Sequence, residues 1–171
     1  MDINDNFDLH RRDSTGSTVL HDSARNGFIK AAKLFIKAGA DIESIDNFGN
    51  TPLHVAIKKD KTEMVKFLIK QGANVNTRNG DYETPLHMAA FYGSFDIVKL
   101  LVENGANVND VDEYGETALH RSIEHPKVVK YLIEHGADVN AKNNSDESVL
   151  DIAKECMFRE TVDILLEHGA N

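Results

Sequence analysis

Four histidines, His21, His54, His87 and His120, stand 33 residues apart along the chain, a regularity that suggests a row of metal ligands. Asp110, Asp112, Glu113 and Glu116 form the densest group of carboxylates and suggest calcium. Cys156 is the one thiol. Each suggestion fails on spacing. A zinc ion needs several nitrogens or sulfurs within about 2 Å of itself, and no Cys or His stands at ligand spacing from Cys156. The acidic group lacks the twelve-residue calcium loop with its central Gly and final Glu. No Gly-x-Ser-x-Gly, Gly-rich phosphate loop, His-Glu-x-x-His or Cys-x-x-Cys occurs. Nothing nominates a nucleophile with its base. The expectation is a protein that is no enzyme, with no catalytic residue, no metal and no cofactor, in which Cys156 is packing filler.

The histidine spacing is one part of a wider period. Leu20, Leu53, Leu86 and Leu119 are also 33 residues apart, Leu150 follows after 31, and Gly39, Gly72, Gly105, Gly136 and Gly169, each followed by Ala, keep the same phase. A period of this length marks a repeat array. Within a repeat, Thr51 or Thr84 can cap a helix, and the Pro that follows loses nothing by lacking an N–H in the first turn. Leu86, Ala89 and Ala90 make a thin apolar stripe on that first helix. Ile97, Val98, Leu100 and Leu101 give a second helix its apolar face, which Gly105 ends in the left-handed conformation. The same second-helix pattern recurs at Met64 to Ile69, Val128 to Ile133 and Val162 to Leu166. One such helix pair cannot cover its own apolar faces, so neighbours must stack.

With Thr51-Pro52-Leu53-His54, Thr84-Pro85-Leu86-His87, Thr117-Ala118-Leu119-His120 and the Gly-Ala-Asn/Asp-Val-Asn segments in hand, the chain resembles the ankyrin-repeat family. The resemblance implies an all-α solenoid of helix-turn-helix units joined by hairpin-like fingers, with repeats at 13–45, 46–78, 79–111, 112–142 and 143–171. Repeats one and five read as caps with solvated outer faces. Residues 1–12 carry no repeat and are expected to be an ordered arm or a tail. Stacked helices lie about 8–10 Å apart, which removes the metal ladder, and the histidines are expected to bond finger and helix backbone instead. Repeat four has four residues between Ile123 and Val128 where repeat three has six between Ala90 and Ile97. Pro126 is expected to open a second helix there, after a shortened turn that leaves a notch.

In this family the finger residues ahead of each Thr and the pair ending the first helix line the concave face and touch partners. The resemblance therefore implies a partner surface of Asn47, Phe48, Asn50, Lys58 and Lys59 in repeat two, Asp81, Glu83, Phe91 and Tyr92 in repeat three, and Glu113, Tyr114, Glu116 and Glu124 in repeat four. Phe48 and Tyr114 either meet a partner or pack on the adjacent finger. The implied function is an adaptor or stoichiometric inhibitor holding another protein. The alternative is a scaffold or regulatory subunit of a larger assembly, including a host-directed effector of a bacterium or virus.

Composition narrows the partner. The 171 residues carry a formal charge of -9, which argues against nucleic acid, whose phosphates demand clustered Lys and Arg. The charge is uneven: residues 13 to 78 hold 10 basic and 7 acidic side chains, residues 79 to 171 hold 7 and 18. An acidic surface beside aromatics calls for a partner with a basic patch or segment. Apolar runs far shorter than the roughly 20 residues of a membrane span, and an acidic, polar start at Met1 to Leu9, suggest no membrane contact and a cytoplasmic protein, or one delivered into a host cytoplasm. By itself it is expected to be a monomer.

Overall fold

The computed structural model describes residues 8, 9 and 11–171. Most of the expected N-terminal arm or tail, residues 1–7 and 10, lies outside the described residues. Ten helices and no strand occur among those described, in the order α1 Val19–Asn26, α2 Ile29–Lys37, α3 Pro52–Lys58, α4 Thr62–Lys70, α5 Pro85–Phe91, α6 Phe95–Glu103, α7 Ala118–Arg121, α8 Pro126–Glu134, α9 Val149–Glu155 and α10 Arg159–Glu167. None is long and apolar enough to cross a membrane. The chain divides into two compact units, the first running to Asn74 with α1 to α4 and the second from Val75 to Asn171 with α5 to α10.

Each first helix starts the same way. In α5, Thr84 at the cap accepts from the His87 amide while His87 Nδ1 accepts from the Thr84 amide at 3.2 Å. The other ring nitrogen is then free to act beyond the helix. His87 Nε2 donates to the Glu116 carbonyl at 3.0 Å, and in the first unit His21 Nε2 donates to the Asn50 carbonyl at 2.9 Å. One imidazole thus caps its own helix and ties down the next finger, the structural role expected for it. In the last repeat Ser148 and Asp151 rebuild the reciprocal cap, with Asp151 Oδ2 accepting from the Ser148 amide at 3.0 Å. Asp has no second arm to extend.

The core of the first unit is Leu20, Ala24, Ala32, Leu53, Ala56, Ile57, Met64, Val65 and Leu68, and that of the second follows the same columns through Leu86, Ile97, Leu101, Leu119, Leu132, Leu150 and Leu165. Each large member contributes about 1.5–3 kcal/mol by burial. Alanine stands where most first helices meet, and where a serine stands instead its hydroxyl is satisfied by the backbone three or four residues back: Ser23 Oγ donates to the Val19 carbonyl at 2.8 Å and Ser122 Oγ to that of Leu119 at 2.9 Å.

A second set of bolts comes from asparagine. Asn109 Nδ2 donates to the Gly136 carbonyl at 2.9 Å and its Oδ1 accepts from the Asp138 amide at 2.8 Å. Asn76 does the same to Gly105 and Asn107, and Asn140 to Gly169 and Asn171. These carbonyls lie at helix C-termini, where backbone acceptors have no helical partner. Asn109→Ala is expected to destabilise the second unit by about 1–2 kcal/mol, since it removes one donor and one acceptor. Urea unfolding would read the change, and a loss under about 0.3 kcal/mol would count against the bolt.

Repeat four departs from the expectation. Pro126 does open α8 at its start, but the missing residues come out of the first helix and not out of the turn. Helix α7 has 4 residues where α5 has 7, while Ser122 to His125 still separate it from α8, against Tyr92 to Ser94 in repeat three. The physical reason is that the turn is held from both neighbours. Thr161 Oγ1 donates to the Ile123 carbonyl at 2.7 Å, and His125 Nε2 donates to the Phe91 carbonyl at 3.0 Å. The His125 ring also lies on Gly93, where a Cβ would fall 2.5 Å from Nδ1. His125 is a strut under the end of α5.

Candidate partner-binding site

The fingers are built by one side chain each. Asp46 Oδ1 accepts from the amides of Phe48 and Asn50, both at 2.9 Å. Asp13, Asn79, Asp112 and Asn143 repeat this at the amides two and four residues on. An Asp or Asn satisfying its own loop backbone is the general device of Asx turns. It leaves the tip residues pointing outward.

In the first unit, Phe48 is 66% exposed and shares a groove of about 210 Å³ with Lys58 and Lys59, which are exposed. Asn47 is used inside the chain: its amide nitrogens donate to the carbonyls of Thr15 and Ser14 at 2.9 and 3.2 Å. Asn50 is half-buried, and its carbonyl receives His21.

In the second unit, Phe91 and Tyr92 are 54% and 43% exposed and meet edge-on with ring centroids 5.3 Å apart. Tyr114 is 57% exposed, so it does not pack away on a finger. Asp81, Glu113 and Glu124 are exposed. Glu83 and Glu116 are half-buried and serve a residue that sequence reasoning missed. Arg121, on the last turn of α7, places Nε 2.9 Å from both Asp112 Oδ2 and Glu116 Oε2, with its terminal nitrogen 3.7 Å from Glu83 Oε1. The Asp112 side chain is wholly buried. Burial raises the Glu116 carboxyl above its ordinary pKa, with Arg121 pulling the other way and Asp112, Glu147 and Glu83 adding to the rise. A basic residue in a column that carries Val55, Met88 and Ile152 elsewhere was the available signal.

Tyr82 was missed as well. It is 58% exposed, and at φ 59 it occupies the left-handed position that Gly49 and Gly115 fill in neighbouring fingers. Such a conformation costs a side-chain-bearing residue about 1–2 kcal/mol. Tyr82→Gly is expected to stabilise the protein by about 0.5–1 kcal/mol. A thermal melt that falls would contradict the strain.

Among the described residues no group of three or more His, Cys, Asp or Glu is placed to hold a metal ion. The helix pairs, fingers and histidine caps agree with a comparison of the sequence with family models: that for ankyrin repeats (3 copies) matches residues 3–79 and 75–143. The chain belongs to the ankyrin-repeat family. No curated protein matches it significantly. Ankyrin repeats generally mediate protein–protein interaction and are typically not enzymes. The ankyrin fold class, an all-α repeat solenoid, is thus common to sequence and structure.

Proposed function

We propose that this ankyrin protein is an adaptor or stoichiometric inhibitor that receives a partner protein on its second unit, against Phe91, Tyr92 and Tyr114. The exposed aromatic pair Phe91 and Tyr92, on the end of a helix braced by His125, carries the reading. Large aromatics that bury on binding dominate interface energies. Asp81 and Glu113 lie near Tyr114, and Glu124 shares a groove with Phe91, so the partner presents a basic segment around an apolar anchor. Glu83 and Glu116 belong to the Arg121 network and contribute less to the rim. Phe48, Lys58 and Lys59 form a separate, basic patch on the first unit.

Affinity capture from the native or host cell, followed by kinetics on the captured partner, tests the proposal. Phe91→Ala is expected to raise the dissociation rate and weaken binding by at least about 2 kcal/mol. Glu113→Lys with Glu124→Lys should chiefly slow association and flatten its salt dependence. Unchanged kinetics in both variants, with normal melting, would remove this surface from consideration.

A further inference from the structure

Where α7 stops short, the second unit carries a notch of about 230 Å³ whose lining includes Phe91, Glu116, Arg121, Ile123, Glu124 and Ile152. That volume is below the roughly 300–1,000 Å³ of small-molecule sites and suits one side chain. Resting on the reading just given, we propose that the notch takes a single long cationic side chain, Lys or Arg, projecting from the partner.

The walls divide by chemistry. Phe91, Ile123 and Ile152 offer an apolar channel for an alkyl stem, which Lys and Arg side chains bury while keeping the charged head wet. Phe91, which lines the notch, is aromatic, and a cation is attracted to an aromatic face. Glu124 lines the notch, exposed and in no ion pair among the described residues. Arg121 also lines the notch, but Glu83, Asp112 and Glu116 already surround its guanidinium. With Glu124 there are four carboxylates to one guanidinium. An anionic guest would meet that excess directly, and a neutral apolar guest would strip water from Glu124 without replacing it. The notch is also pre-formed, because its turn is tied to repeat three through His125 and to repeat five through Thr161. Rigidity of that kind reduces the ordering cost of binding.

The test uses the isotopically labelled full chain and three fragments: propylguanidinium, butylammonium and 1-pentanol as the uncharged analogue. Amide chemical shifts at Phe91, Ile123, Glu124 and Ile152 are expected to move saturably with the cations and at least about fivefold more weakly with pentanol, and Glu124→Gln should weaken the cations at least about threefold. The tighter of the two cations assigns Arg or Lys. Equal response to pentanol, shifts located elsewhere, or indifference to Glu124→Gln would overturn the inference. Its failure is separable from that of the binding surface. If Phe91→Ala abolishes partner binding while Glu124→Gln changes neither fragments nor partner, the surface stands and the notch does not; if Phe91→Ala leaves partner binding intact, the surface itself is wrong.

Discussion

Replacing Arg121 by Met is expected to destabilise the second unit by about 3 kcal/mol, the largest effect of any single substitution outside the apolar core. Breaking a buried ion pair from one side leaves an uncompensated charge and typically costs about 3–5 kcal/mol. The lower end applies because Arg121 itself keeps 20% exposure, whereas the Asp112 side chain has none. Two backbone amides still serve Asp112 Oδ1, so the loss concentrates on Oδ2 and on Glu116. Arg121→Lys should recover less than half, because a point ammonium cannot meet two carboxylates from a planar fork. Removing the guanidinium also frees the Glu116 carboxyl to rise further, so the penalty should be greatest at neutral pH and shrink as acid neutralises the crowded carboxylates. Urea unfolding at pH 7 and near pH 5 reads both effects. A loss below about 1 kcal/mol would mean that the three acids relax apart without their cation.

Mild acid should weaken the whole fold. Burial lowers the pKa of His21, His87 and His120 below the ordinary imidazole value, although the finger carbonyls and nearby carboxylates oppose it. The native state therefore binds fewer protons than the unfolded chain once the pH drops below about 6.5. Stability is constant above that point and falls below it, by up to about 1.4 kcal/mol per pH unit for each histidine. The three slopes add, so the loss on acidification is steeper than any one imidazole would give. The measurement is the slope of unfolding free energy against pH, with His87→Gln expected to reduce it, by at most one proton. A slope below half a proton would show that these imidazoles charge in place.

The repeat was legible because its markers are residue types with single physical jobs. Thr and Pro open helices, Gly closes them, and Leu20 through Leu150 keep one phase, so ten helices and a backbone-bonding role for the histidines follow from spacing. The Asp or Asn at positions 13, 46, 79, 112 and 143 lies in the same phase and was equally readable; its role was hidden because its partners are backbone amides, which a sequence does not display. Repeat four shows the limit more clearly. A two-residue deletion is visible, yet whether a helix or a turn absorbs it depends on Thr161 and His125, 38 and 34 residues from the carbonyls that they hold. The candidate surface divides the same way. Exposure of Phe48, Phe91, Tyr92 and Tyr114 follows from their places in the repeat, but Asn47 and Glu116 look like surface residues until their intramolecular partners are known.

The Asp or Asn at the head of each finger has a consequence for how such a protein changes its partner. It closes the loop on main-chain amides, which every residue except proline supplies, so the tip side chains at 48, 81, 114 and 145 are asked for nothing by the scaffold. Those four positions can be rewritten together, as in a randomised library, with every closing bond kept. Recognition and architecture are inherited through different atoms, and a new specificity would not require a new fold to be found.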